Sequence, residues 1–206
     1  MRFEAGEASG GGSEVAAGEQ DSPSLGLLLG SKAPDAELLD VRGETISLAS
    51  LYQSGPVILV FYRGGWCTYC NQTLAAWADR SADVAAAGAR VVALSPESPE
   101  HGGDTSEAHG GVLILSDARH EAAERFRVVD ELGTLDRVGY SLGGIELDEW
   151  NESGDWKLPA AATFVVDRVG VVRYRYATLD HTSRADPDDV LQAVRGLTAA
   201  SPTPYP

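Results

Sequence analysis

Three stretches of the chain are almost continuously apolar: PVILVFY at 56–62, ARVVALS at 89–95 and GVLILSD at 111–117. Each is bounded by turn residues and is too short for a buried helix, which predicts strands covered on both faces. Between the first two, the segment from Thr68 to about Ala87 is Ala-rich. It places Leu74, Trp77 and Val84 at roughly helical spacing, with Gly88 able to close the helix. ARHEAAERFRV (118–128) predicts a helix entered through Asp117, a good capping residue. TFVVDRVGVVRYRYA (163–177) predicts two strands joined by a turn at Asp167–Gly170. The last periodic stretch, 186–200, begins with Asp186 as N-cap and Pro187 at the first helical position. Upstream, AELLDVRGETISL (36–48) predicts a short hairpin turning at Arg42-Gly43.

Strand–helix–strand units followed by a late hairpin and a terminal helix give an α/β domain. Its central sheet is mixed and its helices lie on both faces. Two segments stand outside the pattern. HGGDTSEAHG (101–110) reads as a solvated connection. Residues 133–158 hold five glycines and two of the four tryptophans, fit neither strand nor helix, and predict a lid or binding loop. Residues 1–23 are rich in Gly, Ala, Ser and Glu without apolar periodicity, so a disordered tail is expected there. Prolines in SPTPYP (201–206) exclude a continued helix. The expected organisation is one domain over 24–200 between two tails, in keeping with 206 residues of which 43% are hydrophobic.

The formal net charge of -15 argues against nucleic acid or an anionic membrane as partner. No apolar stretch is long enough to span a bilayer and no leader pattern is visible, so a cytoplasmic location is expected. Only two cysteines are present, too few for a disulfide scaffold, and both lie in FYRGGWCTYC (61–70). A strand ending at Tyr62, a Gly-Gly turn and a helix starting near Cys67 place Cys67 and Cys70 on one face of the first helical turn. There the unsatisfied N–H groups and the macrodipole favour thiolate, and Arg63 adds positive charge. Their spacing allows a reversible disulfide. A zinc site would need about four ligands. No second Cys-x-x-Cys or His pair supplies them, so no metal is expected and no other cofactor is implied.

FYRGGWCTYC, the upstream LGSKAPDAELLDVRGETISL, LSD followed by AAERFRV, and ATFVVDRVGVVR occur in an order that resembles the alkyl hydroperoxide reductase and thiol-specific antioxidant family. Within it, the R-G-x-W-C-x-Y-C pattern is most similar to a peroxiredoxin-like subgroup. The resemblance covers roughly 28–198 and implies a thioredoxin-like fold with an added N-terminal β-hairpin. It also implies a thiol-dependent antioxidant oxidoreductase that reduces a peroxide and is recycled by thioredoxin or a small thiol, with a homodimer allowed. Counting eight residues on from Tyr62, the family's peroxidatic position is Cys70. Cys70 would then become sulfenic acid and Cys67 would close the disulfide. This chain departs from the family at three places. Cys67 stands where the family has a peroxide-binding Thr, Arg63 where it has a proline, and Ala161 where it has an arginine that steadies the thiolate.

Alternatives remain open. The chain is a dithiol–disulfide oxidoreductase if Cys67 attacks first, or a biosynthetic enzyme if the 133–158 loop binds a larger organic substrate. A redox-regulated binding protein is a further reading. Trp66 either shields the thiols and faces a substrate or plugs the turn against the core. Tyr140 and Trp156 are candidate substrate-facing residues of the loop, and Thr163 is placed to hydrogen-bond near Cys70.

Overall fold

The computed structural model describes residues 24–199, so the expectations for 1–23 and 201–206 lie outside the described residues. The chain runs β1 (Glu37–Leu39), β2 (Thr45–Ser47), α1 (Leu48–Gln53), β3 (Val57–Phe61), α2 (Thr68–Asp79), α3 (Ser81–Ala86), β4 (Arg90–Ser95), α4 (Pro99–Ala108), β5 (Val112–Ser116) and α5 (Glu121–Arg125). It continues through β6 (Val129–Glu131), α6 (Thr134–Leu142), α7 (Leu147–Trp150), β7 (Lys157–Pro159), β8 (Ala161–Val166), β9 (Val172–Thr178) and α8 (Pro187–Ala199).

Seven strands form one mixed sheet in the order β2-β1-β5-β4-β3-β8-β9. β3, β4 and β5 are parallel, and β8 and β9 continue antiparallel beside β3. The N-terminal hairpin joins the far edge through Leu39 and Ser116. Gly43 turns that hairpin at φ +78°, while the Asp40 carboxylate accepts from the N–H groups of Arg42 and Glu44. This is the α/β thioredoxin-like architecture expected from the order of the motifs.

The unbroken apolar run of β3 is explained by two separate cores. Val57, Leu59 and Phe61 point to one face, where Phe61, Phe126 and Phe164 meet at centroid distances of 5.2–6.1 Å. Ile58, Val60 and Tyr62 point to the other, with Trp77, Leu74, Val190 and both cysteines. Because successive strand residues alternate faces, a strand between two helical layers must be apolar at every position. Each fully buried side chain of this size contributes about 1.5–3 kcal/mol, so the site is built against a stiff support.

Four expectations are corrected. The single helix over 68–87 is two, α2 and α3, broken at Arg80 (φ −97°, ψ 8°); the bend brings Val84 onto the same core as Trp77. The helix expected over 118–128 is confined to α5, because His120 and Arg127 have left-handed backbones at its ends. Asp117 still serves it, accepting from the N–H groups of Ala122 and Ala123 at 3.0 and 2.8 Å. The supposed solvated connection at 101–110 lies mostly in α4, which starts with Ser98 as cap and Pro99 in its first turn. Its Gly102 is buried facing Ile114, and His109 at its end is buried. Segment 133–158 is not irregular: it contains α6, α7 and β7. Leu135, Val138 and Leu142 recur at helical spacing along α6, but all three are exposed and no residue of the helix is buried. Tertiary packing therefore gave the sequence no strong signal to mark it.

Candidate active site

The turn between β3 and α2 is held from beneath by a buried carboxylate. Glu97 accepts from the Gly65 N–H at 2.6 Å, the Tyr62 hydroxyl at 3.0 Å and the Ser95 hydroxyl at 3.0 Å. All its oxygens are thereby paired, which is what a fully buried charge requires. Burial and the nearby Glu97 charge push the Tyr62 phenol well above its usual range. On the other side, the Asn71 amide donates to the Gly65 carbonyl at 2.5 Å and its oxygen meets His109 Nε2 at 3.1 Å. Two glycines are needed between these clamps. Gly64 has φ +148°, and a Cβ there would enter the Trp66 indole; a Cβ on Gly65 would lie 2.5 Å from the Thr105 hydroxyl.

This turn delivers Cys67 as the N-cap of α2 and Cys70 into its first turn. Both thiols are free and buried, yet they occupy different places. Cys67 lines a cavity of roughly 690 Å³ bounded by α6, the loop after β9 and the start of β8. Cys70 lies behind it with no exposed surface and is not among the cavity's lining residues. Three groups surround the inner sulfur. The Arg63 backbone N–H approaches Cys70 Sγ at 3.5 Å, Arg184 Nη2 approaches it at 3.3 Å, and its own S–H donates to Cys67.

The pair therefore shares its protons unequally. The hydrogen bond from the Cys70 thiol, joined by the Cys70 backbone N–H and the charges of Arg63 and Arg184, outweighs burial and pushes the Cys67 thiol down to about 6. The hydrogen bond its thiol gives Cys67, then burial and the Cys67 charge, push Cys70 well up. Both shifts run in the direction that favours negative charge on the cavity-facing sulfur and the proton on the inner one.

The candidate residues from the sequence divide accordingly. Arg63, Trp66, Cys67 and Tyr140 line the cavity together. The Arg63 guanidinium packs against both Trp66 and Tyr140, at 5.3 and 5.2 Å from their ring centroids, and those rings meet edge to face at 5.5 Å. Trp66 thus both closes the turn and faces the cavity. Trp156 does not line the cavity; it packs on Tyr140 from behind, with Arg137 over its ring. Thr163 is buried in β8 opposite Val60 and is likewise absent from the lining.

Sequence reasoning missed Arg184, Glu97, Asp130 and His181. Arg184 matters most, since it brings to the sulfurs the positive charge that Ala161 cannot. It comes from the linker before α8, and no local motif marks it. Among the described residues no group of three or more His, Cys, Asp or Glu side chains is placed to hold a metal ion. No helix among them is long and apolar enough to cross a membrane.

Comparison with known proteins agrees with this fold. The model of the AhpC/TSA family matches residues 29–175. The chain is 34% identical to peroxiredoxin Bcp of Bacillus subtilis over 101 residues, 48% of this chain and 64% of that protein. It is 28% identical over 162 residues to a putative peroxiredoxin of Mycobacterium tuberculosis, covering 77% of this chain and 92% of the relative. Among solved structures it resembles peroxidoxin BcpB of Mycobacterium tuberculosis, with TM-score 0.64, 22% identity, and coverage of 82% of this chain and 97% of that one. A peroxiredoxin-like protein of Aquifex aeolicus matches with TM-score 0.66, 19% identity, and coverage of 84% and 88%. The chain, with its two thiols at the start of α2 and its mixed sheet behind them, belongs to the AhpC/TSA family and has that family's peroxiredoxin-like, thioredoxin-type fold.

Proposed function

We propose that this protein is a thiol peroxidase that reduces a peroxide through Cys67 and Cys70 and is recycled by a thiol reductant. The observation that carries this reading is a thiol on the wall of a cavity at the start of α2, with a second thiol behind it and Arg63 and Arg184 beside the pair. Family membership and the peroxiredoxin relatives support the same chemistry.

The burial of Cys70 and the place of Cys67 on the cavity wall support Cys67 as the attacking sulfur, where counting from Tyr62 points to Cys70. The Cys67 thiolate attacks the terminal peroxide oxygen, the O–O bond breaks, and the departing alkoxide takes a proton to leave as alcohol or water. Cys67 is then a sulfenic acid. The Cys70 sulfur attacks it, the hydroxyl leaves as water with the Cys70 proton, and a disulfide forms. Two electrons have passed from the two sulfurs to the peroxide. A dithiol, or two monothiols, returns them by attack on Cys67, the sulfur that faces the cavity. Arg63 and Arg184 supply the positive field that holds the first thiolate.

Single mutants test the order. Cys67→Ser should abolish peroxide consumption. Cys70→Ser should consume one equivalent and leave a sulfenic acid on Cys67 that dimedone labels and mass spectrometry locates. The reverse result restores Cys70 as the attacking sulfur. Full activity in both variants would end the thiol-peroxidase reading.

A further inference from the structure

The cavity is far larger than hydrogen peroxide needs, and its charges do not balance. Cys67 as thiolate, Asp130 and Asp136 line it, against Arg63 alone among arginines and lysines of the lining; Arg184 lies behind at Cys70. Counting both arginines still leaves the site negative. Arg63 also packs against two rings, and its charge acts on the sulfurs and Asp130. Asp136 accepts from the Gly133 N–H. Asp130 is different: it is half-buried, and within the described residues its carboxylate accepts no hydrogen bond. Much of the remaining wall is apolar or aromatic, with Tyr69, Tyr140 and Ile145 around it, and Thr68 and His181 complete it.

We infer that this cavity is a binding site for an organic molecule with an apolar or aromatic body and a protonated amine, and that Asp130 reads the amine. A half-buried carboxylate without a hydrogen-bond donor gains most from a charged one. Aromatic faces add to the attraction for an ammonium group. An anion of the same size meets three negative groups and loses. The inference deepens the peroxidase reading by naming the class of substrate whose peroxide, or of thiol whose disulfide, reaches Cys67. It rests on that reading only for the sulfur that reacts.

Disulfide reagents test it without any peroxide. The Cys67 thiolate attacks one sulfur of the reagent, the S–S bond breaks, and one reagent thiolate leaves while a mixed disulfide forms on Cys67. Rates are measured with cystamine, a dication, with neutral 2-hydroxyethyl disulfide, and with dianionic dithiodipropionate, each divided by its rate with free dithiothreitol. The normalised order should be cation, neutral, anion. Asp130→Asn should shrink the cation-to-anion ratio about three- to tenfold, the worth of one nearby charge in a partly screened site. Asp130→Lys should invert the order. Glu107→Gln on the exposed side of α4 changes the net charge equally and should leave the ratio as it is, separating a local site from the overall acidity. An equal ratio in Asp130→Asn and the native protein, or a native preference for the anion, overturns the inference. A protein that follows these ratios yet consumes no peroxide would overturn the peroxidase reading and leave the binding site standing.

Discussion

Removing Arg184 tests whether the charge brought from the α8 linker does the work that Ala161 cannot. Its Nη2 lies 3.3 Å from Cys70 Sγ. At that distance two unit charges interact by about 1.3 kcal/mol in a water-like medium and about 5 kcal/mol at an effective dielectric of 20. The first proton leaves Cys67, one hydrogen bond further out, so the relevant separation is about twice as large and the interaction falls to about 0.6–2.5 kcal/mol. Arg184 is half-buried, which favours the lower part of that range. One pH unit corresponds to about 1.4 kcal/mol. Arg184→Leu should therefore move the midpoint for Cys67 alkylation up by about one pH unit from its native value near 6.

The assay is the rate of iodoacetamide addition between pH 5 and 9, with mass spectrometry assigning the alkylated sulfur. Arg184→Lys keeps the charge but loses the planar fork, and should fall between the native protein and the leucine variant. At pH 6 the leucine variant should also react with peroxide several-fold more slowly, with the difference vanishing once both are fully ionised. A midpoint unmoved by Arg184→Leu refutes the argument. It would mean that the helix start, the Cys70 thiol and Arg63 hold the thiolate unaided.

Two further outcomes follow from the same geometry. Cys67 has its pKa lowered from an ordinary thiol value of about 8.5 to about 6, so its contribution to the reduced fold is present above the unfolded value and lost as pH falls through about 6. Cys70 is raised, so its contribution holds at lower pH and is lost as pH climbs through its folded value, well into the alkaline range. The melting temperature of the reduced protein, compared with Cys67→Ser, should thus diverge as pH rises from about 6; parallel curves would contradict the assignment. Gly64→Ala places a Cβ against the Trp66 ring at φ +148°, so it should cost about 1–3 kcal/mol in a urea melt. It should also slow Cys67 alkylation, and a variant with native stability would show that the turn is not clamped as described.

Most of the framework was legible because burial on both faces leaves a loud pattern. β3, β4 and β5 read directly from unbroken apolar runs, and the β8–β9 turn from Asp167 and Gly170. Segments packed on one side only, or hardly packed, were misread. α4 is short on apolar residues and approaches the sheet through Gly102, so its pattern suggested a loop. α6 carries Leu135, Val138 and Leu142 at helical spacing, but Gly139 within it and Gly133 and Gly143 at its ends masked a helix that buries nothing. Arg80 breaks α2 from α3 without a glycine or proline. Propensity alone could not see a bend dictated by where Val84 must land.

The site was legible where local spacing fixes it and illegible where the chain returns from far away. Cys67, Cys70, Arg63 and Trp66 are neighbours in sequence, so a strand, a turn and a helix start suffice to place them together. Arg184, Asp130 and Glu97 reach the same turn across long separations, and no short motif reports them. The missing arginine at 161 shows why this matters. A thiolate needs positive charge at a position in space, and Arg184 meets that need from another segment of the chain. The same reasoning separates the two sulfurs. Counting along the strand points to Cys70, but reactivity depends on which sulfur holds the negative charge and meets the cavity. In the proposed order, burial withdraws Cys70 from both conditions, while the hydrogen bond from its thiol favours charge on Cys67.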